Sequence, residues 1–180
     1  MNVDNLLDTI DKICPLEDAF EDDKVGLLIG ARANTVSGIV VSHDLDLRTL
    51  QYCKENQVNT VISYHPATYR QFDNLNEDLM LSKLSLEYYK ENINVISIHT
   101  AQDVSDHGNA DILAGLLNLR NIKNFGLTLN ERGVGRIGEI EEKDSDSMQE
   151  FVKEKLRTEI IRTNEYFKSQ KNINTIALVP

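Results

Sequence analysis

The feature that most constrains this chain is a repeated alternation between short β-rich runs and amphipathic helical segments. The run VSGIVVS is followed by LRTLQYCKEN, whose apolar residues share one face behind Asp46, a residue suited to an N-cap. VNTVIS then reads as a strand; Met80, Leu81, Leu84 and Tyr88 mark a second helix; NVISI is a further strand; and Ile112, Leu113, Leu116 and Leu117 mark a third helix. Strands that alternate with helices build a largely parallel sheet covered on both faces, because each crossover must return the chain to the same end of the sheet. Ahead of this unit, Val3, Leu6, Leu7, Ile10 and Ile13 are spaced for a helix that Pro15 closes, and VGLLIG reads as a strand adjacent to VSGIVVS.

The pattern loosens towards the C-terminus. RGVGRIGEIEE reads as a strand, and Met148, Phe151, Val152 and Leu156 as a helix behind polar DSDS; TEIIR is a candidate partner strand and TIALVP a closing one. The expected fold class is therefore α/β: a largely parallel sheet flanked by helices over residues 1–128, with a second, smaller α+β lobe over 129–180.

Charge and cysteine usage exclude several function classes. With 29 acidic against 19 basic residues and a formal charge of -10, a nucleic-acid backbone or an anionic membrane surface is not expected as the main partner. Cys14 and Cys53 are far apart and lack CxxC spacing, which fits small buried residues in a reducing compartment. MNVDNLLDTIDKIC has neither the basic start nor the continuous apolar stretch of a signal peptide, and no run is long enough to span a bilayer, so a cytoplasmic protein is expected.

Open parallel sheets bind ligands at the carboxyl ends of their strands. Three of the four histidines fall at such ends: His43 after GIVVS, His65 after TVISY and His99 after NVISI. With Asp44 and Asp103 they are placed to share one rim, and imidazole nitrogens with carboxylate oxygens suit zinc, iron, manganese or magnesium. A metal with an open coordination position activates water near neutral pH. The plainer reading, strand-end histidines that are simply hydrogen-bonded, stands beside the metal reading at this stage, and His107 in SDHGNA reads as solvated. GVGRIG, residues 133–138, matches G-x-G-x-x-G in letters only: TLNER is a poor preceding strand and EIEEKD does not open a helix whose N-terminus would hold a phosphate.

Taken in order, DKVGLLIG from Asp23, GIVV with Asp44, Tyr64-His65-Pro66, His99-Thr100-Ala101-Gln102-Asp103, Gly108, Asp111 and GVGRIGE resemble the Nif-three-like dinuclear-metal family, whose members are often labelled GTP cyclohydrolase 1 type 2. The resemblance covers nearly the whole chain. It implies two interlocked α/β lobes, a ring-shaped hexamer, and a pair of divalent metals held by two adjacent histidines matched here by Tyr64-His65, an aspartate matched by Asp103, and a later His-x-x-x-Glu pair. His99 matches a further histidine beside the metals, and GVGRIGE becomes a family signature of the sheet. This sequence departs from the pattern twice: Tyr64 replaces the first histidine, and the His-x-x-x-Glu pair is not found before Pro180.

Two functions follow as expectations. The first is a metal-dependent hydrolase of nucleotide-like or phosphoester substrates, with a partially bound divalent metal at His65, Asp103 and His43, and His99 as general acid–base. The second is a non-catalytic, homo-oligomeric binding or assembly protein that keeps the scaffold without the dinuclear centre.

Overall fold

A computed structural model describes residues 1–69 and 74–180; the side chains of Met80 and Leu81, two of the second helix's marker residues, lie outside the described set. The chain divides into two compact units, Met1–Ser105 and Asp106–Pro180.

In the first unit, helix α1 (Val3–Asp11) starts where the Asn2 side chain accepts from the Asn5 amide, and it buries Val3, Leu6, Leu7 and Ile10. Ile13, expected on the same face, falls beyond the helix end and is exposed. Then come β1 (Gly26–Ile29), β2 (Ile39–Ser42), α2 (Leu47–Glu55), β3 (Thr60–Ser63), α3 (Met80–Lys90), β4 (Asn94–Ser97) and α4 (His99–Val104). Asp46 caps α2 as expected, its carboxylate accepting from the Thr49 amide.

The sheet order is β1-β4-β3-β2, with β2, β3 and β4 parallel and β1 antiparallel to β4. VGLLIG and VSGIVVS are therefore not neighbours, as their sequence adjacency suggested; they form the two edges. Burial explains the order. All four residues of β4 are buried and so are three of the four in β3, so these strands take the centre and leave the edges to the more exposed β1 and β2. Side-chain alternation then splits the core. Val61 and Val95 pack with Leu50, Cys53 and Tyr88 from α2 and α3, whereas Ile96 packs with α1.

The second unit contains α5 (Asn109–Leu116), β5 (Arg120–Leu127), β6 (Gly133–Lys143), α6 (Ser145–Leu156), α7 (Glu165–Lys168) and β7 (Ile173–Leu178), with an antiparallel sheet ordered β5-β6-β7. In its core Ala114, Leu117 and Leu119 pack with Ile140 and Met148. The inward face of α5 is Ala110 and Ala114, with Leu117 just beyond its end; Ile112 and Leu116, expected in the core, are exposed. TEIIR forms no strand, since β6 already has β5 on one side and β7 on the other. GVGRIG lies wholly inside β6, which runs on to Lys143 before α6 begins, so it forms no phosphate loop.

Candidate metal and acid–base centre

The first unit's parallel ladder pairs Ser42 with Ser63 and Ser63 with Ser97. The ladder's hydrogen bonding continues past the strand ends. Tyr64 donates its amide to the Ser42 carbonyl at 2.9 Å, His65 to the His43 carbonyl at 2.9 Å, and His99 to the Tyr64 carbonyl at 3.1 Å. One step beyond the ladder therefore sets His43 opposite Tyr64, and a second step sets Asp44, His65 and His99 in one row.

The side chains follow this register. The His43 and Tyr64 rings stack with centroids 5.0 Å apart and planes at 12°. His65 lies 4.5 Å from the His43 ring and 5.7 Å from the His99 ring, and Tyr69 lies 5.3 Å from His99. His43, His65 and His99 thus converge on one rim, as their positions at strand ends implied. Asp103 stands against the same cluster but is buried, its two carboxylate oxygens accepting from the Tyr64 hydroxyl at 3.1 and 2.9 Å.

Among the described residues, His43, Asp44 and His65 offer one ligand atom each, all within 4.8 Å of one another. Two imidazoles and a carboxylate at that spacing fit a divalent ion of the zinc, iron or manganese type. Asp44 also meets His65 Nδ1 through Oδ1 at 2.7 Å, a contact that orients the ring. Asp44 was legible as a rim residue from sequence but not as a partner of His65; the missing signal was the register that sets residues 44 and 65 opposite each other.

A second carboxylate–imidazole pair lies beside the first. His99 Nδ1 meets both oxygens of Asp23 at 2.7 and 2.8 Å, and Asp23 also accepts from the Thr100 amide at 3.1 Å and from the Thr100 hydroxyl. Burial opposes ionisation of Asp23, but hydrogen bonds from Thr100, His99 and the Lys24 amide outweigh it and hold its carboxyl below the usual range. The ionised Asp23 assigns the proton of neutral His99 to Nδ1 and makes Nε2 the acceptor, and that nitrogen lies 3.2 Å from the Tyr69 hydroxyl. Burial, with the Asp23 and Asp44 carboxylates, raises the Tyr69 phenol, which keeps it a proton donor at neutral pH. Sequence reasoning missed Asp23 as the partner of His99; its place in DKVGLLIG was the one available signal.

His43 and Asp44 also border an open depression of about 720 Å³ along the β2 edge, with Arg48 and Thr49 on its α2 side. His107 lies in the second unit, outside this cluster, its amide donating to Asp111.

Comparison with known proteins agrees with the fold. The profile of Duf34/NIF3 (NGG1p interacting factor 3) matches residues 1–180. A Lactococcus lactis protein named GTP cyclohydrolase 1 type 2 homolog is 31% identical over 153 residues, covering 85% of this chain and 58% of that protein. A Clostridium acetobutylicum protein of the same name is 25% identical over 166 residues, covering 90% of this chain and 62% of its own length. The chain thus spans about six-tenths of the length of these relatives. A crystal structure of a Bacillus cereus protein related to NIF3 superposes with a TM-score of 0.85 at 16% identity, covering 99% of this chain and 76% of that one.

Proposed function

Because this chain belongs to the Duf34/NIF3 family, we propose that its first unit binds a divalent metal through His43, Asp44 and His65 and serves as the water-activating half of a hydrolase acting on nucleotide-like or phosphoester substrates. The observation that carries this reading is the convergence of those three side chains within 4.8 Å. When bound there, the metal would supply Lewis acidity and a lowered pKa for water. Asp44 orients His65. Asp23 holds His99 with Nε2 as the proton acceptor, so His99 is the general base that takes a proton from the attacking water and returns it to the leaving oxygen. The depression beside His43 gives a substrate room.

Asp103 is a further donor that the Tyr64 hydroxyl holds in reserve. On this reading, Tyr64→His takes the phenol hydroxyl off Asp103 and adds an imidazole, tightening metal binding, and the gain shrinks in the Tyr64→His, Asp103→Ala double variant. The sheet of the second unit exposes Ile122, Phe125 and Leu127, and Leu129 is exposed in the turn that follows, which supports self-association of the protein, with a hexamer as the largest assembly proposed. Among the described residues, no helix is long and apolar enough to cross a membrane.

The test is calorimetric titration of chelator-treated protein with zinc, manganese and magnesium, beside elemental analysis and phosphoester turnover. Saturable binding of one metal per chain that weakens at least tenfold in Asp44→Ala, with turnover lost in His99→Gln, is expected. Wild-type affinity in both Asp44→Ala and His65→Ala would remove the proposal. Light scattering reports the assembly.

A further inference from the structure

A second concavity of the first unit, outside the metal-ligand group, lies between β1 and α3. It has a volume of about 540 Å³, within the range of small-molecule sites, and its walls include Leu28, Ala67, Leu86 and Tyr89. Lys24, Thr68 and Ser85 interrupt this apolar lining with polar groups, and two of them, Ser85 and Lys24, bear on what it holds.

Ser85 Oγ is the one buried side-chain oxygen or nitrogen among the described residues that has no hydrogen-bond partner. A buried hydroxyl left without a partner is destabilising, and in a cavity wall a ligand's acceptor atom can complete it. Lys24 is half-buried and enters no ion pair among the described residues, whereas Lys54 and Lys90 of the same unit both pair with glutamates. Its neighbour Asp23 is engaged by His99 and Thr100.

We infer that this cavity is a binding site for a small anionic molecule with a flat apolar body, whose ring system lies against Leu28, Leu86 and Tyr89, whose acceptor atom completes Ser85 Oγ, and whose carboxylate or phosphate pairs with Lys24. Apolar walls supply most of the affinity, and the two polar groups set orientation and select for charge. The walls run on along the chain from the candidate centre, since Lys24 follows Asp23 and Ala67 stands two residues after His65. The site needs no metal, so its test is separate from that of the hydrolase reading.

The test uses the metal-free 180-residue chain with two fluorescent probes, anilinonaphthalene sulfonate and its uncharged congener N-phenyl-1-naphthylamine. One sulfonate probe per chain is expected, with amide shifts in nitrogen–proton correlation spectra confined to residues 24–30, 67–68 and 85–89. Lys24→Gln should weaken the anionic probe about tenfold and leave the neutral one unchanged. Leu86→Trp should abolish both by filling the cavity. Should Leu86→Trp fail to fold, Ser85→Ala takes its place: it does not lower thermal stability, because the lost hydroxyl had no partner, and weakens 2-naphthoate several-fold. Competition by 2-naphthoate against 2-naphthyl phosphate separates a carboxylate ligand from a phosphate one. Equal anionic-probe affinity in wild type and Lys24→Gln, or shifts elsewhere in the chain, overturns the inference.

Discussion

The two units handle their charged groups in opposite ways. In the second unit Arg136 is buried and tied down: its Nε donates to Asp111 at 2.5 Å, and its Nη1 to the Gly133 and Gly135 carbonyls at 2.6 and 3.2 Å. In the first unit His43 and Asp44 are exposed at a strand end, and His65 keeps one ring nitrogen beyond its contact with Asp44. A buried cation needs its whole hydrogen-bonding capacity met inside the protein, so Arg136 holds structure. Polar groups at an open sheet end keep unused donors and acceptors and are free to meet a ligand. Burial and saturation, more than residue type, separate Arg136 from the His43–Asp44 group.

The comparison breaks first, and most visibly, at Arg136. Arg136→Met should cost about 3–5 kcal/mol in urea unfolding, since it leaves Asp111 and two carbonyls without their donor, while metal titration of the folded fraction keeps the wild-type affinity. A cost below about 1 kcal/mol would show that the pair is not structural. Gly135→Ala comes next. A Cβ there would stand 2.3 Å from Cζ of Phe125, so the ring must move, at about 1–3 kcal/mol. The double variant Gly135→Ala, Phe125→Leu should recover part of that loss, and additive costs would rule the contact out.

In the first unit the expected signs reverse. Asp44→Ala should change unfolding by no more than about 0.5 kcal/mol, because the residue is exposed, yet lower metal affinity tenfold or more. Loss of stability without loss of affinity would move Asp44 to the structural side of the comparison. The smallest effect is the pH dependence from Asp23. Its folded-state pKa is depressed, so the stability it contributes is fully present above the unfolded value of about 3.9 and is lost as pH falls through the lower folded value. The stability gap between wild type and Asp23→Asn should therefore stay level from about pH 5 to 7 and close on acidification below about 4. Urea midpoints across that range measure it, and a gap that widens in acid would contradict the assignment.

Much of the first unit was legible because its signals are local. Period-two alternation and helical spacing lie within a few residues of each other, and a strand followed by Tyr64-His65-Pro66 announces its own end. The second unit was less readable. β5 is exposed along its whole length, so no apolar pattern marks it, and the inward face of α5 is built on small Ala110 and Ala114 rather than on its leucines. A small-residue face leaves little trace in hydrophobic periodicity.

By itself the sequence determined that three histidines sit at the carboxyl ends of strands in a parallel sheet, and its ordered motifs carried the family resemblance. Only the tertiary structure decided what each histidine faces. Asp44 meets His65 because β2 and β3 pair in one register; Asp23 reaches His99, 76 residues away, from the loop before β1; and Tyr64 covers Asp103 from a neighbouring strand end. Strand order is set by which strands bury most on both faces, a property of the assembled core. Partners drawn from distant segments are fixed by that order, so no local pattern could name them.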